Sequence, residues 1–90
     1  MADDIDATLK ERGSKYGPFD GHAALTQALK ATMHGAPSWR LCAPDQREAL
    51  EMFAHKIGRI LNGDPDYDDS WRDIAGYAML IVKRLNGEQT

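Results

Sequence analysis

Two stretches of this sequence repeat their apolar residues at the spacing of an α-helix, and only one short turn separates them. In the first, Leu50, Phe53, Ala54, Ile57, Ile60 and Leu61 fall on one arc at about 100° per residue, with Glu48, Glu51, His55, Arg59 and Asn62 opposite. In the second, Trp71, Ile74, Ala78, Ile81, Val82 and Leu85 make the apolar arc, and Asp69, Asp73, Gly76, Tyr77 and Leu80 occupy another side. Asn62-Gly63 stops the first helix, and Asp64-Pro65-Asp66-Tyr67-Asp68 turns the chain. So short a connection implies an antiparallel helical hairpin, over roughly 45–62 and 69–86. Pro44 suits the first helical position of one helix, and Asp68 or Asp69 suits the N-cap of the other.

The remaining chain reads as two further helices. Asp3 to Arg12 is a short helix of thin apolar content ended by Gly13, followed by a loop through Gly17-Pro18. Leu25, Leu29 and Met33 recur every fourth residue and predict a helix from about Asp20 to Met33. His34-Gly35-Ala36-Pro37 stops it, and Ser38 to Pro44 connects onward. No stretch alternates with period two, so no strand is expected. The reading is all-α, about four helices, in a single domain over residues 1–90.

Composition narrows the function classes. Hydrophobic content of 42% with 28% charged residues suits a folded globule. A net charge of −3 argues against a nucleic-acid binder, and no helix carries a basic recognition face. The single cysteine, Cys42, excludes an intrachain disulfide and reads as a buried structural thiol. No apolar run approaches the ~20 residues of a membrane span, and the acidic start MADDIDATLKERG is unlike a signal peptide. The expected location is therefore the cytoplasm. So small a chain buries a smaller share of its surface than a larger domain does, and a homo-oligomer is expected.

Two carboxylate pairs are the sharpest chemical signal. Glu48 and Glu51 are three apart and Asp69 and Asp73 four apart, so each pair shares a helix face. Converging across an antiparallel hairpin, they would hold Mg²⁺, which takes carboxylates, water and substrate phosphate. The plainer reading of Glu48, Glu51 and Asp69 is charge at the positive ends of helix dipoles. Asp73 and Gly76 are both disfavoured inside a helix, and a glycine there suggests close approach of a backbone or ligand. Lys56 and Arg59 would neutralise phosphate, or Glu51, His55 and Arg59 would form intrahelical pairs. Arg12 and Lys15 would reach a phosphate, and Tyr16, Phe19, Tyr77 or Trp71 would stack on a base. Zinc is not indicated, because His22, His34, Cys42 and His55 lack ligand spacing.

The hairpin resembles the core of the all-α nucleotide pyrophosphohydrolases of the MazG and dimeric dUTPase type. That family pairs Glu-x-x-Glu on one helix with Glu-x-x-Asp on the next. Glu48-Ala-Leu-Glu51 matches the first motif, and Asp69-Ser-Trp-Arg-Asp73 stands at the second with spacing four and Asp for Glu. The chain as a whole is similar to small phage and prophage proteins of unassigned function. It shares with them Arg12-Gly13, Tyr16-Gly17, Lys56-Ile57-Gly58-Arg59-Ile60 and Asp73-Ile74-Ala75-Gly76-Tyr77.

The first resemblance implies Mg²⁺-dependent nucleoside triphosphate hydrolysis. Glu48, Glu51 and Asp73 would be catalytic, and Glu48, Glu51, Asp69 and Asp73 would ligate the metal. Arg12, Lys15, Tyr16, Lys56, Arg59 and Tyr77 would meet the substrate. The alternative is a non-catalytic phage protein that binds a host or defence-system protein, or a signalling nucleotide, with its acidic stripe facing a basic partner surface.

Overall fold

Lys56 and Asp45 on one helix meet Asp73 and Arg84 on the next, and these contacts fix the register of the hairpin. In the computed structural model, which describes residues 2–88, four helices follow one another. They are α1 (Ala2–Tyr16), α2 (Phe19–His34), α3 (Pro44–Asn62) and α4 (Asp69–Leu85), with a 3-10 turn at Trp39–Leu41. No strand occurs among the described residues. The outermost positions of the expected domain, 1, 89 and 90, lie outside them. No helix is long and apolar enough to cross a membrane among the described residues.

Lys56 Nζ lies 2.8 Å from Asp73 Oδ2, and Arg84 Nε lies 2.7 Å from Asp45 Oδ2. Eleven residues forward along α3 match eleven back along α4, so the pair is antiparallel as expected. The Arg84 guanidinium grips Asp45 through two nitrogens, which holds that carboxyl below its usual range. Pro44 opens α3, and the Ala43 N–H donates to Gln46 Oε1 at 2.8 Å. The Asp68 side chain does not cap α4; it accepts from Arg72 Nε one turn on. An i,i+4 arginine competes successfully for that carboxylate.

α3 is the central element, packed on α2 along one flank and on α4 along the other, while α1 crosses α2 and α3. Small residues let α2 and α3 approach. Gly58 is buried against Thr26 and His22, where a Cβ would overlap the Thr26 hydroxyl. Among the described residues the buried apolar side chains are Ala49, Ala54 and Ile60, joined by His22, Thr26, Lys56 and Ser70. Cys42 is half-buried, its Sγ 3.5 Å from the Ser38 carbonyl oxygen.

Two expectations change. α1 does not end at Gly13 but runs through it to Tyr16, and Gly17 at φ 77° stops it. The residues expected as a loop are held helical because the end of α1 docks onto α3. Gly76 does not mark a close approach within the chain, since a Cβ there would meet nothing within 4 Å.

Candidate functional site

The C-terminus of α3 fastens α1 in place. Asn62 Nδ2 donates to the carbonyl oxygens of Tyr16, at 2.9 Å, and Pro18, at 2.8 Å. One residue beyond Gly63, the Asp64 N–H donates to Lys15 O at 2.8 Å. Such closeness needs glycine at both sides of the contact. Gly17 sits at positive φ against the Asn62 backbone, and a Cβ on Gly63 would lie about 2.5 Å from Tyr16 Cα. The last two turns of α1 are thereby set against the outer stripe of α3, which carries His55 and Arg59.

Between them lies a cleft of about 490 Å³, lined by Leu9, Arg12, Tyr16, Phe19, His22, His55 and Arg59 among others. A polar recess of about 390 Å³ shares Arg12, Tyr16 and Arg59 with it and adds Lys15, Tyr67, Glu11 and Asp69. Three cations therefore converge. Arg12, Lys15 and Arg59 have no carboxylate within 4.0 Å among the described residues, whereas Lys56, Arg72 and Arg84 each have one. Aromatic rings take the place of acids. The Arg59 guanidinium stacks 4.3 Å from the Tyr16 ring centroid, and Lys15 Nζ lies 4.9 Å from that of Tyr67. Tyr16 and Tyr67 meet edge to face at 5.9 Å. Phe19, 80% exposed, borders the cleft beside His22.

Two histidines form the floor. The His22 and His55 rings pack edge to face with centroids 4.7 Å apart. Burial pushes the His55 imidazole down to about 4, helped by the nearby charges of Arg59, His22, Lys56 and Lys30. His22 is also lowered, chiefly by burial; a backbone hydrogen bond to Gly58 opposes this, and Arg59 and Lys30 add to it. Both rings are thereby biased toward the neutral form in the free protein.

His55 in the unfolded chain takes up a proton near pH 6.5, while the folded ring resists until about 4. Its contribution is therefore fully present above pH 6.5 and is lost as pH falls from 6.5 toward 4. Denaturant midpoints at pH 7.5 and 5 should show lower stability at pH 5. The His55→Gln variant should show a smaller drop.

The carboxylates named from the sequence do not gather. Glu51 Oε1 lies 3.2 Å from His34 Nε2 toward α2, not beside His55 as an intrahelical pair. Asp73 is engaged by buried Lys56 on the α4 flank. Glu48 is exposed, and Asp69 lies in the polar recess. Five residues along α3 from Glu51 to Lys56 rotate by about 140°, so the two pairs face different neighbours. Among the described residues no three His, Cys, Asp or Glu side chains are grouped to hold a metal. A Mg²⁺ site made by the protein alone does not fit these residues, and no hydrolytic step follows from them. Of the acids, Glu11 and Asp69 share the recess with the cations.

Of the six residues expected at a substrate, Arg12, Lys15, Tyr16 and Arg59 come together. Lys56 points to Asp73, and Tyr77 on α4 is half-buried and does not line the cleft. Trp71 Nε1 donates to Pro65 O at 2.9 Å. His22, His55 and Tyr67 were not expected at a ligand. His55 was visible on the polar stripe of α3, but nothing local in the sequence brings His22 or Tyr67 to it.

No protein-family model, curated protein or solved structure matches the chain.

Proposed function

We propose that this protein binds a nucleotide, or a similar phosphate ester carrying a flat ring, in the cleft between α1 and α3. The observation that carries this reading is the convergence of Arg12, Lys15 and Arg59, without carboxylate partners among the described residues, around aromatic side chains. Guanidinium groups match phosphate oxygens through paired N–H donors. An exposed phenylalanine beside them offers a face for a base. The neutral histidines suit an anion as well, because phosphate beside them favours their protonated, donating form. The reading is of a binding protein, with the phage-type, MazG-like ancestry suggested by its hairpin residues. Mg²⁺ would enter with the phosphates, near Asp69 and Glu11, rather than be held beforehand.

Recognition of a host protein through an acidic stripe has less support, since Glu51 and Asp73 each already have a partner within the chain, His34 and Lys56. Calorimetric titration of a nucleoside triphosphate panel, with and without Mg²⁺, tests the proposal. Saturable binding at pH 7.5 is expected. Absence of binding by every triphosphate and by inorganic pyrophosphate would overturn it.

A further inference from the structure

The side of the hairpin away from the cleft is apolar and uncovered. On α3, Leu50, Phe53, Ile57 and Leu61 fall within an arc of about 80°, opposite His55 and Arg59. On α4, Trp71, Ala75, Ala78, Val82 and Leu85 follow one another at steps of four, three, four and three. The two rows share one surface, because Leu50, Phe53 and Ala78 line a common groove of about 270 Å³. Much of it is open to water: Leu61 is 66% exposed, Leu85 60%, Trp71 54% and Val82 49%.

Area says what covers it. The chain exposes 6490 Å². A compact monomer of 10.0 kDa exposes about 5,200 Å². The excess, about 1,300 Å², includes the projecting α1 with Ile5 and Leu9, and it accommodates the ~800 Å² that each partner of a stable dimer buries. The Cα radius of gyration, 15.3 Å, also exceeds the ~12 Å of a compact chain this long.

The α4 row suits its own copy. Alternating steps of four and three keep one seam facing a neighbouring helix at a shallow angle. About Ala78 the row is nearly symmetric in size, with Ala75 and Val82 inside and Trp71 and Leu85 at the ends. A two-fold axis there sets small residues at the crossing and Trp71 against Leu85 of the partner subunit, the self-matching arrangement of an isologous interface.

We infer that two copies of this chain associate through the α3–α4 face into a dimer whose two clefts point outward. The inference is independent of what the clefts bind. Sedimentation equilibrium over 1–200 µM on wild type, Val82→Glu and Leu61→Glu tests it. Wild type should have about twice the chain mass. Each charged variant should shift to monomer, at least a hundredfold weaker in association, with its helical circular dichroism retained. Should one variant fail to fold, the other and the wild-type mass decide. A monomeric wild type at 200 µM would overturn the inference and leave the face to a different partner. So would dimers that persist in a folded variant.

Discussion

Gly63→Ala is expected to lower the stability of the protein by about 3 kcal/mol, the upper part of the range for overpacking a tight contact. The added methyl would meet Tyr16 Cα and carbonyl carbon and the Lys15 carbonyl oxygen. All three are backbone atoms, so no side-chain rotation relieves the overlap. The end of α1 must move off α3, which weakens the hydrogen bonds of Asn62 to Tyr16 O and Pro18 O and of Asp64 N to Lys15 O. For a chain of this size the melting midpoint should fall by roughly 12 °C or more, compared at one protein concentration. Gly76→Ala serves as a control, because its Cβ meets open space and the helix gains propensity. An unchanged midpoint for Gly63→Ala would contradict the account of how α1 is held.

Arg59→Met should weaken binding of a nucleoside triphosphate by about 10- to 100-fold, the worth of one to two charge-assisted hydrogen bonds. Arg59 borders both the cleft and the polar recess and stands over Tyr16 without a carboxylate partner among the described residues. Arg59→Lys should recover part of the affinity, since an ammonium keeps the charge but not the paired donors. Lys83→Met, at the far end of α4 and outside both cavities, should bind as wild type. Equal loss in the Arg59 and Lys83 variants would reduce the effect to net charge and remove the case for a site.

The hairpin was legible because its signals are local. Apolar periodicity, Pro44 at one helix start and Asn62-Gly63 at that helix's end fix type and limits without knowledge of the rest of the chain. The course of α1 was not legible, because a glycine inside a helix and a glycine after it look alike until docking decides between them. Here Gly13 continues the helix and Gly17 stops it. The carboxylate cluster failed for a related reason. Spacing puts Glu48 with Glu51, and Asp69 with Asp73, on shared faces, but it does not say which flank of α3 each pair meets. It also does not reveal the partner already waiting there: His34 for Glu51 and Lys56 for Asp73. Arg12, Lys15, Tyr16 and Arg59 were legible as residue types suited to a phosphate. Their meeting, and the arrival of His22 and Tyr67, depend on contacts between residues far apart in sequence.

The most direct test of the cleft is to follow the three imidazoles by NMR while a nucleoside triphosphate is added. His22 and His55 line the cleft, and His34 stands apart from it beside Glu51 and Trp39. The account predicts saturable shifts at His22 and His55 with His34 unmoved. Shifts confined to His34, or none at His22 and His55 while the nucleotide binds, would contradict it.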